Sequence, residues 1–335
     1  MALRSRQYPR MSVSSASFLL PDSRAGAALW AATGLAAFAA VTIAPIATFL
    51  ILIVGFGFLH VLTELRYVDF RFSGRLDRRW LWLMLALVFC IAGSRTLLIF
   101  NAVPYEWGIG VEAALGVALA GLGMILLPRY RIAVAFGILV FAAIAIASPL
   151  HALLTVAILH NLTPLGFFAE RLPPETRGRT LAILSVPFVL IPLLIATGAP
   201  LAAMQAATGL TPDWTPFDFG PAERHMGAFL PPEMIGERAA YAAFAGAVFA
   251  QIMHYLAVIV ILPRLQPDAA ATLVPWPKGW AFWGFCAVAC GALIAFYLSD
   301  YGQAKALYGL FAAIHSWIEV PILIAALALA DERPT

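Results

Sequence analysis

Six histidines punctuate a chain that is otherwise poor in polar side chains, and five of them fall inside long apolar runs: His60, His151, His160, His254 and His315. Neutral imidazole is a good ligand for iron, copper and zinc, and an ionisable group in an apolar span is costly enough to mark a site or a relay. The neighbouring residues suit that chemistry. In FGFLHVLTEL, Glu64 stands one helical turn beyond His60, and in AIHSWIEVP, Glu319 stands one turn beyond His315. Gln251 comes about one turn before His254 in QIMHY, while in HNLTP Asn161 adjoins His160 and Thr163 shares its face. Such groups orient metal-bound histidines and fix their tautomer, and they also offer proton transfer; the two glutamates are possible ligands themselves. Histidines without matching cysteines favour a redox metal, so Fe2+ is the expected cofactor and haem b on paired axial histidines the alternative. A third reading is a secondary transporter with a proton relay through Glu64, Glu319 and the imidazoles.

Helical geometry sorts the histidines further. At about 1.5 Å per residue, His160 lies about 15 Å from Glu170, His254 about 15 Å from Arg264 and His315 about 15 Å from Lys305. His60, about 9 Å from Arg66, sits somewhat nearer the cytoplasm. These four belong to runs of the same direction, so they converge if their helices are neighbours. His151 is nine residues before His160 and points to the opposite face at about 100° per residue, which excludes it from the same site. Pro164 and Pro321 cannot donate to the carbonyls one turn earlier, those of His160 and Trp317, and each predicts a free acceptor and a kink near the site.

The elements that carry these residues follow from composition. Of 335 residues, 62% are apolar and only 12% are charged, about half the charge of a soluble domain. A membrane span needs about 20 mainly apolar residues. Runs at 26–43, 46–66, 79–100, 109–127, 131–147, 150–169, 179–198, 238–262, 280–298 and 304–330 predict an all-α polytopic bundle of about ten transmembrane helices. A cytoplasmic tail (1–25) precedes one transmembrane domain (26–330), and a short cytoplasmic tail (331–335) follows it. With both ends in the cytoplasm, only Arg95, Arg224, Arg238 and Lys305 of the 21 basic residues fall at the outer side, as the positive-inside rule requires. A bacterial cytoplasmic (inner) membrane is the expected location. The net charge of +3 argues nothing for nucleic acid. Cys90, Cys286 and Cys290 all lie in apolar runs and read as packing residues. One long outer connection, 199–237, is rich in proline and aromatic residues; Trp214, Phe217 and Phe219 can anchor it at the interface, and Trp214 and His225 are candidates to cap a cavity mouth.

The run GFLHVLTEL, residues 57–65, resembles the G-x-P-H-x-x-x-D-H element of the Brp/Blh-type bacterial carotene-cleaving dioxygenases. Gly57 and His60 match, and Glu64 stands where the family has Asp; Leu59 replaces its Pro and Leu65 its second His. The resemblance implies a polytopic membrane enzyme that uses histidine-bound iron to split a carotene into retinal, with His60 as a ligand. Together these observations predict a membrane metalloenzyme in which His60, His160, His254 and His315 bind iron. Its substrate would be an apolar, lipid-like small molecule arriving through membrane lipid, with dioxygen as co-reactant.

Overall fold

The computed structural model describes residues 19–125, 131–265 and 272–331, and every regular element among them is helical. The N-terminal arginines Arg4, Arg6 and Arg10, together with Arg129 and Arg333, lie outside the described residues. The helices begin where local chemistry starts them. The hydroxyl of Ser23 accepts from the Gly26 amide at 2.9 Å at the head of α1 (Arg24–Ile43), and Pro45 opens α2 (Pro45–Phe72). Asp77 accepts from the Arg79 amide at 2.8 Å and starts α3 (Arg78–Ile99). There follow α4 (Tyr105–Met124), α5 (Arg131–Ala147), α6 (Pro149–His160), α7 (Thr163–Arg171) and α8 (Pro174–Ala196). The 199–237 connection holds α9 (Ala199–Thr208) and the short α10 (Ala222–Met226). The chain closes with α11 (Ala239–Leu265), α12 (Trp280–Ser299) and α13 (Tyr301–Asp331).

Among the described residues, eight of these helices are long and apolar enough to cross a membrane: α1 to α4, α8, α11, α12 and α13. The run expected over 150–169 is not one rod. It breaks into α6 and α7, which meet at 42° and together make a ninth apolar segment, while α5, at 17 residues, is shorter. The outer surface is apolar too, with Leu35, Trp107, Ile132, Phe136, Ile146, Trp280 and Val288 all exposed. A surface of this kind suits a hydrocarbon surround and would be a liability in water.

The C-terminal helix α13 is the hub, packing against α2, α3, α4, α6, α7 and α12. Small residues admit it: a Cβ at Gly116 of α4 would overlap the Trp317 ring, and one at Gly166 of α7 would overlap Leu323. On its other side α2 meets the end of α11, against which α1 and the second half of α8 also pack. Buried charges tie the same helices together. Glu112 of α4 takes two hydrogen bonds from Arg95 of α3, each at 2.8 Å, and a third from the Trp317 indole at 2.8 Å. Glu170 of α7 pairs with Arg71 of α2. Asp69 of α2 accepts from the amides of Leu273 and Val274 and from the Trp276 indole at 2.8–3.0 Å.

Two helices are underwound beside histidines. The π-helical turn Leu52–Phe56 immediately precedes Gly57 and His60, and another, Leu256–Ile261, begins directly after Tyr255, next to His254. A third, Val186–Leu190, contains Pro187 and has no histidine beside it. Such turns shift the register of the side chains that follow and cluster at functional sites.

The tight α4–α13 contact gives a direct check. Gly116→Val should destabilise the purified protein by about 1–3 kcal/mol through overpacking. Gly137→Val, at a position with open space around it, should leave the thermal unfolding midpoint nearly unchanged.

Candidate metal centre

The four histidines come from four helices: His60 from α2, His160 from the last residue of α6, His254 from α11 and His315 from the middle of α13. One ring nitrogen from each lies within 4.8 Å of the others. Nε2 of His315 is 3.2 Å from Nε2 of His60 and 3.0 Å from Nε2 of His160. Such separations would suit the edges of a coordination polyhedron: with metal–nitrogen bonds near 2.1 Å, ligand nitrogens at right angles stand about 3.0 Å apart. All four imidazoles are largely shielded, and His254 is entirely buried.

The partners of the other ring nitrogens decide which way the lone pairs point. Nδ1 of His315 lies 3.3 Å from the Phe311 carbonyl, which can only accept, so this nitrogen carries the proton and Nε2 is bare. Nδ1 of His160 lies 2.7 Å from Oε2 of Glu319. An ionised carboxylate there accepts a hydrogen bond from Nδ1–H, which leaves Nε2 of His160 bare. Two bare lone pairs then face each other at 3.0 Å, with a third nitrogen, from His60, beside them. A cation at their focus would turn that repulsion into coordination.

Glu64 completes the charge balance. Its Oε2 is 3.1 Å from Nε2 of His254 and 4.0 Å from Nε2 of His315, and its carboxyl contacts that of Glu319. Both carboxyls are buried, and Glu64, His160 and Glu319 also bring ligand atoms within 4.8 Å of one another. Carboxyls in contact share a proton unless a cation lies beside them, and a divalent ion there would offset both charges, the condition under which burying them is least costly.

The remaining expected residues divide. Gln251 does not orient His254: its amide donates to the Tyr255 hydroxyl at 3.0 Å, one turn along the same helix. Asn161 lines the cavity beside the site, yet its amide is spent on the carbonyls of Ala157 and Ile158, where α6 ends. Thr163 donates to the His160 carbonyl at 2.8 Å. The acceptor that Pro164 was expected to leave free is therefore occupied, and the threonine bridges the α6–α7 bend. His151 stands apart and exposed, with Ser148 at 2.6 Å and Glu233 at 2.7 Å.

A cavity of about 570 Å³ adjoins the cluster, with His60, His160 and His315 in its lining. From there it runs toward the end of the bundle that carries the 199–237 connection, between walls that include Phe49, Ile53, Leu98 and Leu153. Gly227, Ala228 and Phe229 of that connection cover it. Trp214, expected as part of the cap, is instead exposed and away from the lining. His225 supports the cover from behind: it is fully buried, contacts the Phe49 ring, and meets the Tyr301 hydroxyl at 3.0 Å through Nδ1.

Several residues near the centre have no counterpart in the sequence reading. Tyr255 stacks on His60 with ring centres 4.2 Å apart, and its hydroxyl is 3.3 Å from that of Tyr308. Both tyrosines line the cavity, as do Arg95, Glu112 and Lys305. Tyr308 lies two turns before His315, a spacing that marks a shared helix face. In Tyr255 the signal was only its adjacency to His254.

Compared with protein-family models, with curated proteins and with solved structures, the chain matches none. The reading of the site therefore rests on its own geometry.

Burial, with Lys305 nearby, pushes the His225 imidazole down to about 4. In the unfolded chain it titrates near 6.5. The folded protein thus keeps this residue neutral while the unfolded chain gains a proton, and stability falls as pH drops from 6.5 toward 4. His225→Gln should remove roughly 2 kcal/mol of the stability lost between pH 7 and pH 5, measured as the difference in unfolding midpoints between those two pH values.

Proposed function

We propose that the chain is a membrane metalloenzyme in which His60, His160, His254 and His315 hold one metal ion and the adjoining cavity takes an apolar, lipid-like substrate. The observation that carries this reading is the pair of Nε2 atoms at 3.0 Å whose Nδ1 partners, Glu319 and the Phe311 carbonyl, leave both lone pairs pointing inward. Imidazole donors with carboxylates beside them suit iron, and oxidation with dioxygen is the reaction class. When bound, such an ion supplies a Lewis-acidic position at which dioxygen is activated.

The chain's own residues supply the rest. Glu319 holds His160 in one tautomer, the Phe311 carbonyl does so for His315, and Glu64 sets a negative charge beside His254. Tyr255, ordered by Gln251 and stacked on His60, keeps that ring in place. The cavity walls exclude water from the reacting end. Cleavage of a carotenoid is the specific reaction to which the likeness at residues 57–65 points, so carotenes head the substrate screen. Ten spans with both termini in the cytoplasm, in a bacterial inner membrane, is the arrangement favoured by the placement of the basic residues. In it the α6–α7 pair and α5 supply the ninth and tenth spans.

Haem fits the spacing less well. Two axial nitrogens of a haem stand about 4 Å apart, twice a metal–nitrogen bond, with the macrocycle between them. Here the other two imidazoles would occupy that plane.

Metal analysis of the detergent-purified protein, with its absorption spectrum, tests the proposal. Roughly one metal ion per chain without a Soret band is expected, and it should be lost in His160→Ala and His254→Ala. A metal-free wild-type protein that is folded would sink the reading, and a Soret band would replace it with haem. Glu319→Gln, which keeps the shape but not the charge, should weaken metal retention against a chelator by about 10–100-fold.

A further inference from the structure

The cavity has a feature that a metal centre and a hydrocarbon substrate leave unexplained. Two cationic side chains line it, and their surroundings differ. Arg95 is matched: Glu112 takes two of its hydrogen bonds at 2.8 Å, and the Gly309 carbonyl lies 3.4 Å from a third nitrogen. Lys305 is not. Its ammonium donates to the Arg224 carbonyl at 3.0 Å and lies 5.9 Å from the Tyr301 ring centre, and among the described residues it pairs with no carboxylate. Arg224 stands over the same ring at 5.6 Å, so two cations share this end of the cavity.

An ammonium left without a counter-ion at the rim of an apolar cavity is costly unless a ligand supplies the anion. The depth of the cavity says what else the ligand needs. Lys305 and His315 are ten residues apart on α13, about 15 Å along its axis. The lining between them includes Ala306, Leu310, Ala312 and Ala313, and the polar groups at that depth, the Arg95–Glu112 pair and the Tyr255 and Tyr308 hydroxyls, are bonded to one another. A volume of about 570 Å³ suits one lipid-like chain and lies within the ordinary range of small-molecule sites.

We propose that this cavity binds an anion-headed, single-chain amphiphile, with its carboxylate or phosphate on Lys305 and its hydrocarbon chain extending to the histidines. With carbon–carbon bonds of about 1.5 Å in a zigzag, the atom presented to the histidines is roughly a dozen bonds from the head. What happens at that atom rests on the metal-centre reading; the binding of the amphiphile does not. A bare hydrocarbon such as carotene would leave Lys305 unmatched.

The test is equilibrium binding of isotope-labelled hexadecanoate to the full chain in non-ionic detergent. Unlabelled hexadecanoate, hexadecyl phosphate, hexadecanol and carotene serve as competitors, with metal content measured on the same samples. Hexadecanoate or hexadecyl phosphate should compete, the stronger of the two identifying the headgroup, and hexadecanol should be weaker by about tenfold or more. If the phosphate alone is recognised, the labelled probe is hexadecyl phosphate. Lys305→Met should lower affinity by a similar factor with metal content unchanged, and Lys305→Arg should restore it. His254→Ala, whose side chain is not in the cavity lining, should lose metal yet still bind the amphiphile. The proposal is overturned if hexadecanol or carotene competes as well as the anions, if neither anion binds, or if a folded Lys305→Met binds unchanged. Should Lys305→Met fail to fold, the acid–alcohol comparison on the wild-type chain decides.

Discussion

Lone pairs on neighbouring imidazoles repel, and the interior of this bundle gathers four such rings with ligand nitrogens inside 4.8 Å. Whatever offsets that repulsion governs the centre. Carboxyls stand beside the cluster, and a carbonyl and a carboxyl hold the outward nitrogens of His315 and His160, surroundings that would favour positive charge among the rings. In a low-dielectric interior these orientations are stiff, because a buried donor or acceptor turned away from its partner loses most of a hydrogen bond with no water to replace it.

Holding four helices to that tolerance falls to α13. It carries His315 and Glu319 and touches the helices of His60 and His160 directly. Glycines at 116 and 166 let its large side chains seat against neighbouring backbones, and Glu112 gathers Arg95 and Trp317 into one buried knot. Irregular backbone supplies the remaining adjustment. The π turn before His60 shifts the register of the residues that follow it, and a second π turn after His254 and the bend after His160 redirect the chain beyond those rings. Irregularity of this kind costs backbone hydrogen bonds, and in an apolar surround it is tolerated where side chains replace them, as Thr163 does for the His160 carbonyl.

The cavity extends the same logic outward. Its inner end is walled by imidazole and tyrosine, aliphatic side chains and the Arg95–Glu112 pair line it farther out, and Lys305 lies near its rim. The 199–237 connection covers it with backbone and Phe229, and His225 ties that cover to the start of α13 through Tyr301.

The apolar helices, their approximate bounds and the shared depth of four histidines follow from the order of residues alone. Hydrocarbon thickness sets span length, and helical rise converts residue counts into distance. The near neighbours Glu64 and Glu319 were legible for the same reason, one turn along a known face. Legibility ended where a choice lay between partners. Gln251 is near His254 in sequence but bonds Tyr255, and Asn161 adjoins His160 but caps a helix. Trp214 looked like a lid residue, and Phe229 is the one that covers the cavity. Glu319 follows His315 in the chain and serves His160, 159 residues away. Sequence spacing fixes geometry within one helix, whereas these pairings depend on how helices are rotated and crossed against each other. That is settled by packing small residues against large ones over the whole bundle, a many-body outcome that local pattern does not encode.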